Sequence, residues 1–207
     1  MKFTVAGFSN IRPSKIATRC PHCGKEAVMD PVGAHDLQVQ LSIICGQRSC
    51  PNTTCNGHLF IVFDRVSKEI IAAYPPVKID FNPENLPSNV LNTFEEAISC
   101  FANSHFIAAA IMVRRTLEEV CLERGASGDN LKKRITDLQT KVIMPKELLE
   151  AMHELRILGN NAAHVTAQEY NNVSHQELQA AIELTKEILK ALYQYGSLLA
   201  QLRALKG

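Results

Sequence analysis

The sequence predicts a mostly α protein with a small N-terminal β module, and three observations carry that prediction. Five of the seven cysteines fall between residues 20 and 55, among short, alternating apolar runs. Four prolines then punctuate the stretch from Tyr74 to Pro87, which has no helical period and reads as an extended connector. Beyond it, apolar residues recur three and four apart almost to the end of the chain. The expected division is a β module over residues 1–80 and a bundle of about five helices over residues 81–207.

The bulk properties suit a globular chain of one large or two small domains: 207 residues, 46% hydrophobic and 21% charged. The formal net charge is +1, so no global field demands nucleic acid, a membrane or an acidic partner. Residues 1–80 hold nine Lys and Arg against six Asp and Glu, and the rest holds 13 against 15. That split is too small to name a ligand. The first residues lack the basic-then-apolar pattern of a secretory leader. The longest apolar run, Phe106–Val113, is far short of the roughly 20 residues that span a bilayer. A cytoplasmic protein with no membrane partner is therefore expected, and an odd number of cysteines there argues for metal ligands and buried thiols over disulfides.

In the N-terminal module, Cys20-Pro21-His22-Cys23-Gly24 is a metal-binding knuckle. Two thiolates separated by two residues reach one ion, and the glycine lets the turn offer backbone N–H groups to sulfur. An alternating stretch, Leu37–Ile44, predicts a strand; Cys45, Cys50 and Cys55 follow, and then the runs Leu59–Phe63 and Ile70–Tyr74. Strand, knuckle, strand, turn, strand is the layout of a zinc ribbon. The expected ligands are Cys20, Cys23, Cys50 and Cys55, because Pro51 and the Asn56-Gly57 turn echo the first knuckle. Cys45 with Cys50 is the rival second pair, and His58 a more distant substitute. Four protein ligands leave zinc no open position, so the ion would be structural.

The helices follow in order. Ser88 or Asn89 is placed to cap a helix over Asn89–Asn103, which turns Val90, Leu91, Phe94, Ala97, Ile98 and Phe101 to one side. Phe106–Arg124 is apolar nearly all round in its first half and so belongs at the centre of the bundle. Its charged turn offers Arg114–Glu118 and Arg115–Glu119 pairs, and Gly125 and Gly128 close it. Leu131–Val142 is short and amphipathic. Pro145 opens the fourth helix at a favoured first-turn position, and Gly159 within it admits a very close neighbour. Gln176–Lys206 reads as one helix of about 45 Å, long enough that its end is expected to pack on another subunit or on the ribbon.

The fourth helix carries the candidate chemistry. Arg156, Asn160 and His164 are spaced four apart, with His153 three before Arg156, so one stripe holds a fixed cation, an amide and a titratable imidazole. An arginine fork suits a phosphate.

Taken together, CPHCG, CPNTTC, YPP, EEAISCF, AAAIMVRRTLEEVC, LKKRI and HELRILGNNAAH resemble a bacterial domain-of-unknown-function family. Its members occur alone or fused to type I restriction-enzyme subunits, and it is similar to the HEPN superfamily. The resemblance implies a HEPN-like bundle that forms a homodimer, and a site of metal-independent endoribonuclease type. HEPN ribonucleases carry Arg-Asn, three residues and His. Asn160 and His164 match that pattern, but Gly159 stands where the arginine belongs, and Arg156 lies one turn earlier, about 12 Å along the axis from His164. Two functions are expected from this. One is a non-catalytic module binding RNA, DNA or a protein partner in defence or restriction. The alternative is a ribonuclease with Arg156 clamping phosphate, His164 moving the proton and Asn160 orienting one of them.

Overall fold

A computed structural model describes residues 9–163 and 173–206. The chain forms two compact units, Met1–Asp80 and Phe81–Gly207.

The first unit is a six-stranded antiparallel sheet: β1 (Ser9–Ile11), β2 (Ile16–Arg19), β3 (Glu26–Gln38), β4 (Ile43–Ser49), β5 (His58–Asp64) and β6 (Ile70–Tyr74). The order is β1-β3-β4-β5-β6, with β2 also on β3. β3 is the organiser, because its first residues pair with β2 (Ile16 opposite Met29) and its last with β1 (Ser9 opposite Gln38). Its register on β4 shifts between Val32 and Leu37, where Gly33 takes a φ of +90°, a bulge conformation that favours glycine. β5 shows why the sheet has a core face: Leu59, Ile61 and Phe63 are buried, while the intervening Phe60 is exposed. Ile16, Met29 and Ile44 complete that face together with Cys20 and Cys50.

The fold class therefore needs correcting. The described residues are 47% helical and 21% strand, which makes the protein mixed α/β and not mostly α. The sequence underweights the sheet because β1, β2 and the start of β3 are short or carry Pro31 and Gly33, so they show little period-two alternation. The stretch Leu37–Ile44 is also not one strand. β3 ends at Gln38 and the chain turns, with Gln38 Nε2 donating to the Leu41 carbonyl at 2.7 Å, and Leu41 points into solvent.

One ion pair lies inside this unit. Arg48 is 0% exposed and Asp36 1%. The guanidinium donates to both carboxylate oxygens, Nη1 to Oδ1 at 2.9 Å and Nη2 to Oδ2 at 2.5 Å, and Nη1 also reaches the Gln47 carbonyl. It sits 5.5 Å from the Phe63 ring centroid. Gly46 makes the space, since a Cβ there would strike the Asp36 carboxylate.

The second unit is helical: α1 (Ser88–Ala102), α2 (Phe106–Glu123), α3 (Leu131–Leu138), α4 (Lys146–Ala163), α5 (His175–Leu189) and α6 (Tyr195–Ala204). Pro87, not Ser88 or Asn89, occupies the N-cap of α1, and no side chain caps it. Gly125, with φ of +66°, closes α2 through the 2.8 Å bond from the Ala126 N–H to the Cys121 carbonyl. Asn130 caps α3, and a reciprocal Ser174–Glu177 capping box starts α5. α2 is central, burying Ala109, Ala110, Val113, Leu117 and Val120. Arg114 and Arg115 of α2 pair with Glu118 and Glu119 one turn on. α4 meets α2 at Gly159, where a Cβ would lie 2.8 Å from the Ala110 carbonyl and strike the Arg114 stem.

The expected final helix is interrupted. Between α5 and α6, residues Lys190–Gln194 form a π turn. Arg124 donates to the Leu192 carbonyl in that turn at 2.6 Å and stacks 4.3 Å over the Tyr193 ring. Buried Gln194 donates to the carbonyls of Asn82 and Glu84. Ser197 accepts a bond from Asn85, while Leu198, Leu199, Leu202 and Leu205 are exposed. No helix among the described residues is long and apolar enough to cross a membrane.

Three expectations follow for stability. Gly159→Ala adds a methyl against the α2 backbone and is expected to lose about 1–2 kcal/mol in urea denaturation, the overpacking outweighing the propensity gain. Gly196→Ala, with nothing within 4 Å of the new methyl, should gain up to about 1 kcal/mol. Asp36→Asn leaves a buried guanidinium without its counter-charge and is expected to cost about 3–5 kcal/mol in the same assay.

Candidate metal centre

The sheet topology brings two distant turns together. The β2–β3 turn carries Cys20 and Cys23, and the β4–β5 turn carries Cys50 and Cys55. Each turn is tied across its base: the Cys20 N–H donates to the Lys25 carbonyl at 2.9 Å, and the Cys50 N–H to the Gly57 carbonyl at 2.8 Å. Gly24, at φ of +70°, makes the first turn tight. Gly57 lets the turns approach, because a Cβ there would lie 2.6 Å from Cγ of His22. The His22 ring in turn meets the His58 carbonyl at 2.7 Å.

The result is a cluster of four sulfurs all within 4.8 Å of one another. Cys20 Sγ lies 3.8 Å from Cys55 Sγ, and Cys23 Sγ lies 3.9 Å from Cys50 Sγ. Cys20 and Cys50 are buried, and Cys23 and Cys55 half-buried. Backbone N–H groups two residues beyond the cysteines serve three sulfurs: Lys25 to Cys23, Asn52 to Cys50 and Gly57 to Cys55. The Lys25 amide, against the opposing effect of burial, holds the Cys23 thiol down to about 7. Burial pushes Cys50 up to about 12. Amide donors aimed at sulfur favour thiolate, the form that binds a metal ion. These four cysteines are a possible metal-binding site, formed by thiols alone.

The two alternatives lie elsewhere. Cys45 is in mid-β4, opposite Leu37 and Val62, and its thiol is raised by burial and then by Asp36. His58 has its Nδ1 2.8 Å from Gln47 Nε2 and is not part of the cluster. The sequence leads one to expect backbone N–H groups at the first knuckle, and the structure adds those of Asn52 and Gly57 at the second.

On α4, Arg156 and Asn160 are half-buried. His164 lies outside the described residues. His153 is half-buried, and burial, followed by the charges of Arg156 and Lys132, holds it below the usual histidine range. The part played by Lys132 is invisible in the sequence, because it depends on α3 packing beside α4.

For the cluster, Cys55→Ser is expected to abolish metal binding and lower the thermal midpoint, whereas Cys45→Ser leaves the metal content at that of the wild type. Elemental analysis of the purified chains should return about one ion per chain for the wild type. Wild-type protein that is metal-free yet fully folded contradicts the assignment.

A family model described as "Domain of unknown function (DUF4145)" matches residues 95–205, from within α1 to just past α6. The cysteine cluster lies before the matched residues. Searches of curated proteins and of solved structures returned no match. With more than half of its residues inside that model, the chain belongs to the DUF4145 family of domains of unknown function.

Proposed function

We propose that the protein is a non-catalytic interaction module, a zinc ribbon joined to a HEPN-like helical unit that pairs as a homodimer. Zinc fits the sulfur cluster by size. Zn–S bonds of about 2.3 Å place tetrahedral sulfurs about 3.8 Å apart; the Cys20–Cys55 and Cys23–Cys50 sulfurs are 3.8 and 3.9 Å apart, and all four lie within 4.8 Å of one another. When bound, the ion supplies cross-linking of the two turns, with Cys20, Cys23, Cys50 and Cys55 filling its four positions. The outward leucines of α6 support pairing, since a free monomer leaves them in water.

One observation carries the non-catalytic reading. The HEPN ribonuclease pattern places its arginine immediately before the asparagine. That position is Gly159, pressed so closely on Ala110 and Arg114 of α2 that no side chain fits. The helix packing and the nuclease pattern compete for one position, and packing occupies it. A defence or restriction setting, with RNA, DNA or a protein as partner, rests on the family resemblance of the sequence motifs.

A metal-independent endoribonuclease is the second reading, and it rests on Arg156. This side chain makes no hydrogen bond among the described residues and so remains available to a phosphate from the same stripe. In that mechanism Arg156 stabilises the developing phosphorane charge, Asn160 holds the geometry and His164 takes or gives the proton. The two readings separate on a fluorescent RNA incubated in EDTA with wild type and His164→Ala, folding being checked by circular dichroism. The expected outcome is no cleavage above blank by either. Metal-independent cutting by the wild type that disappears in His164→Ala establishes the nuclease instead.

A further inference from the structure

Three arginines hide an Nε atom from solvent without a hydrogen-bond partner among the described residues: Arg48, Arg124 and Arg156. The first two guanidinium groups nevertheless have partners. Arg48 binds Asp36, and Arg124 binds the Leu192 carbonyl and stacks on Tyr193. Arg156 has no such compensation among the described residues. None of its nitrogens makes a hydrogen bond or ion pair among the described residues, although the side chain is half-buried. A guanidinium brings five N–H donors and a permanent charge, and withdrawing it from water without an acceptor is unfavourable.

The surrounding cations sharpen this. Of the lysines and arginines on α2, α3, α4 and the turns between them, most have an acceptor. Arg114, Arg115, Arg124, Lys133, Lys141 and Lys146 each pair with a carboxylate. Arg134 donates to the Gly128 carbonyl. Lys132 and Arg156 are the two left without one among the described residues. His153 lies one turn before Arg156 on α4, and α3, which carries Lys132, packs beside α4; both cations act by charge on that imidazole. Glu154 acts on that imidazole in the opposite sense and is exposed. Unpaired charge is thus gathered at one place, where α3 lies beside α4.

We propose that Arg156, Lys132 and His153 form an oxyanion site whose ligand is a phosphate group. The planar fork of Arg156 takes two oxygens, the Lys132 ammonium adds a point charge, and the His153 imidazole donates an N–H. The site deepens the interaction reading by naming its ligand chemistry, and it requires no contribution from His164. A free phosphate or a phosphodiester backbone carries the same group.

The test uses the full chain as wild type, Arg156→Gln, Lys132→Gln and, as a control, Lys146→Gln, whose exposed partner is Glu150. Thermal midpoints are measured with and without inorganic phosphate at constant ionic strength. Binding of a fluorescein-labelled single-stranded RNA is measured at two salt concentrations. Phosphate is expected to raise the midpoint of the wild type and the control, and to leave that of Arg156→Gln unchanged and that of Lys132→Gln nearly so. If the group arrives on a nucleic acid, RNA affinity falls about ten-fold in Arg156→Gln and the log–log salt slope drops by about 0.7–1. An RNA affinity that does not change assigns the site to small phosphates. Wild type unresponsive to both probes, or equal responses in wild type and both variants, overturns the site. Should Arg156→Gln fail to fold, the exposed Lys132→Gln still decides. RNA integrity is followed in the same samples: cleaved RNA with Arg156-dependent phosphate binding overturns the non-catalytic reading and leaves the site standing.

Discussion

Four sulfurs within 4.8 Å are the constraint on which the β unit depends. Thiolates at that separation repel one another, and thiols there fill the space poorly. A single cation bound there would convert the repulsion into a cross-link between the β2–β3 and β4–β5 turns. Cys20 and Cys50 also belong to the apolar cluster with Ile16, Met29, Ile44, Leu59, Ile61 and Phe63. Cysteine cluster and core are therefore one object, which suits a unit of 80 residues with a small core.

The helical unit depends on a different economy of space. Gly159 allows α4 to approach the α2 backbone, and that contact sets the rotation of α4 about its own axis. With Gly159, Leu155 and Met152 turned inward, Arg156 is left at the edge of the buried face and His153 beside it. The absence of a side chain at position 159 and a guanidinium at position 156 with no partner among the described residues are thus two results of one packing choice.

Much of this was legible from residue types. The four cysteines followed from two proline-marked knuckles, and the central helix from its run of alanines. Gly159 could be read as a close approach because glycine in mid-helix otherwise weakens it. What escaped was whatever depends on pairing at a distance. β1 and β2 are three and four residues long and acquire strand identity only from β3. The π turn has no local signature, and its Leu192 carbonyl is taken by Arg124, about 70 residues earlier. Lys132 gains significance only from α3 lying beside α4. The stretch around Leu37–Ile44 misled because its alternation runs straight through a turn.

The buried pair of Asp36 and Arg48 carries an evolutionary implication. Gly46 leaves room for the carboxylate, the carboxylate neutralises the guanidinium, and the guanidinium fills the space over Phe63. Changing one of the three strands the other two: a larger residue at 46 displaces the acid, and loss of either charge leaves its partner buried alone. Drift at these positions is consequently blocked one step at a time. Homologous sheets should keep all three together or have exchanged all three for an apolar filling, with intermediate combinations rare.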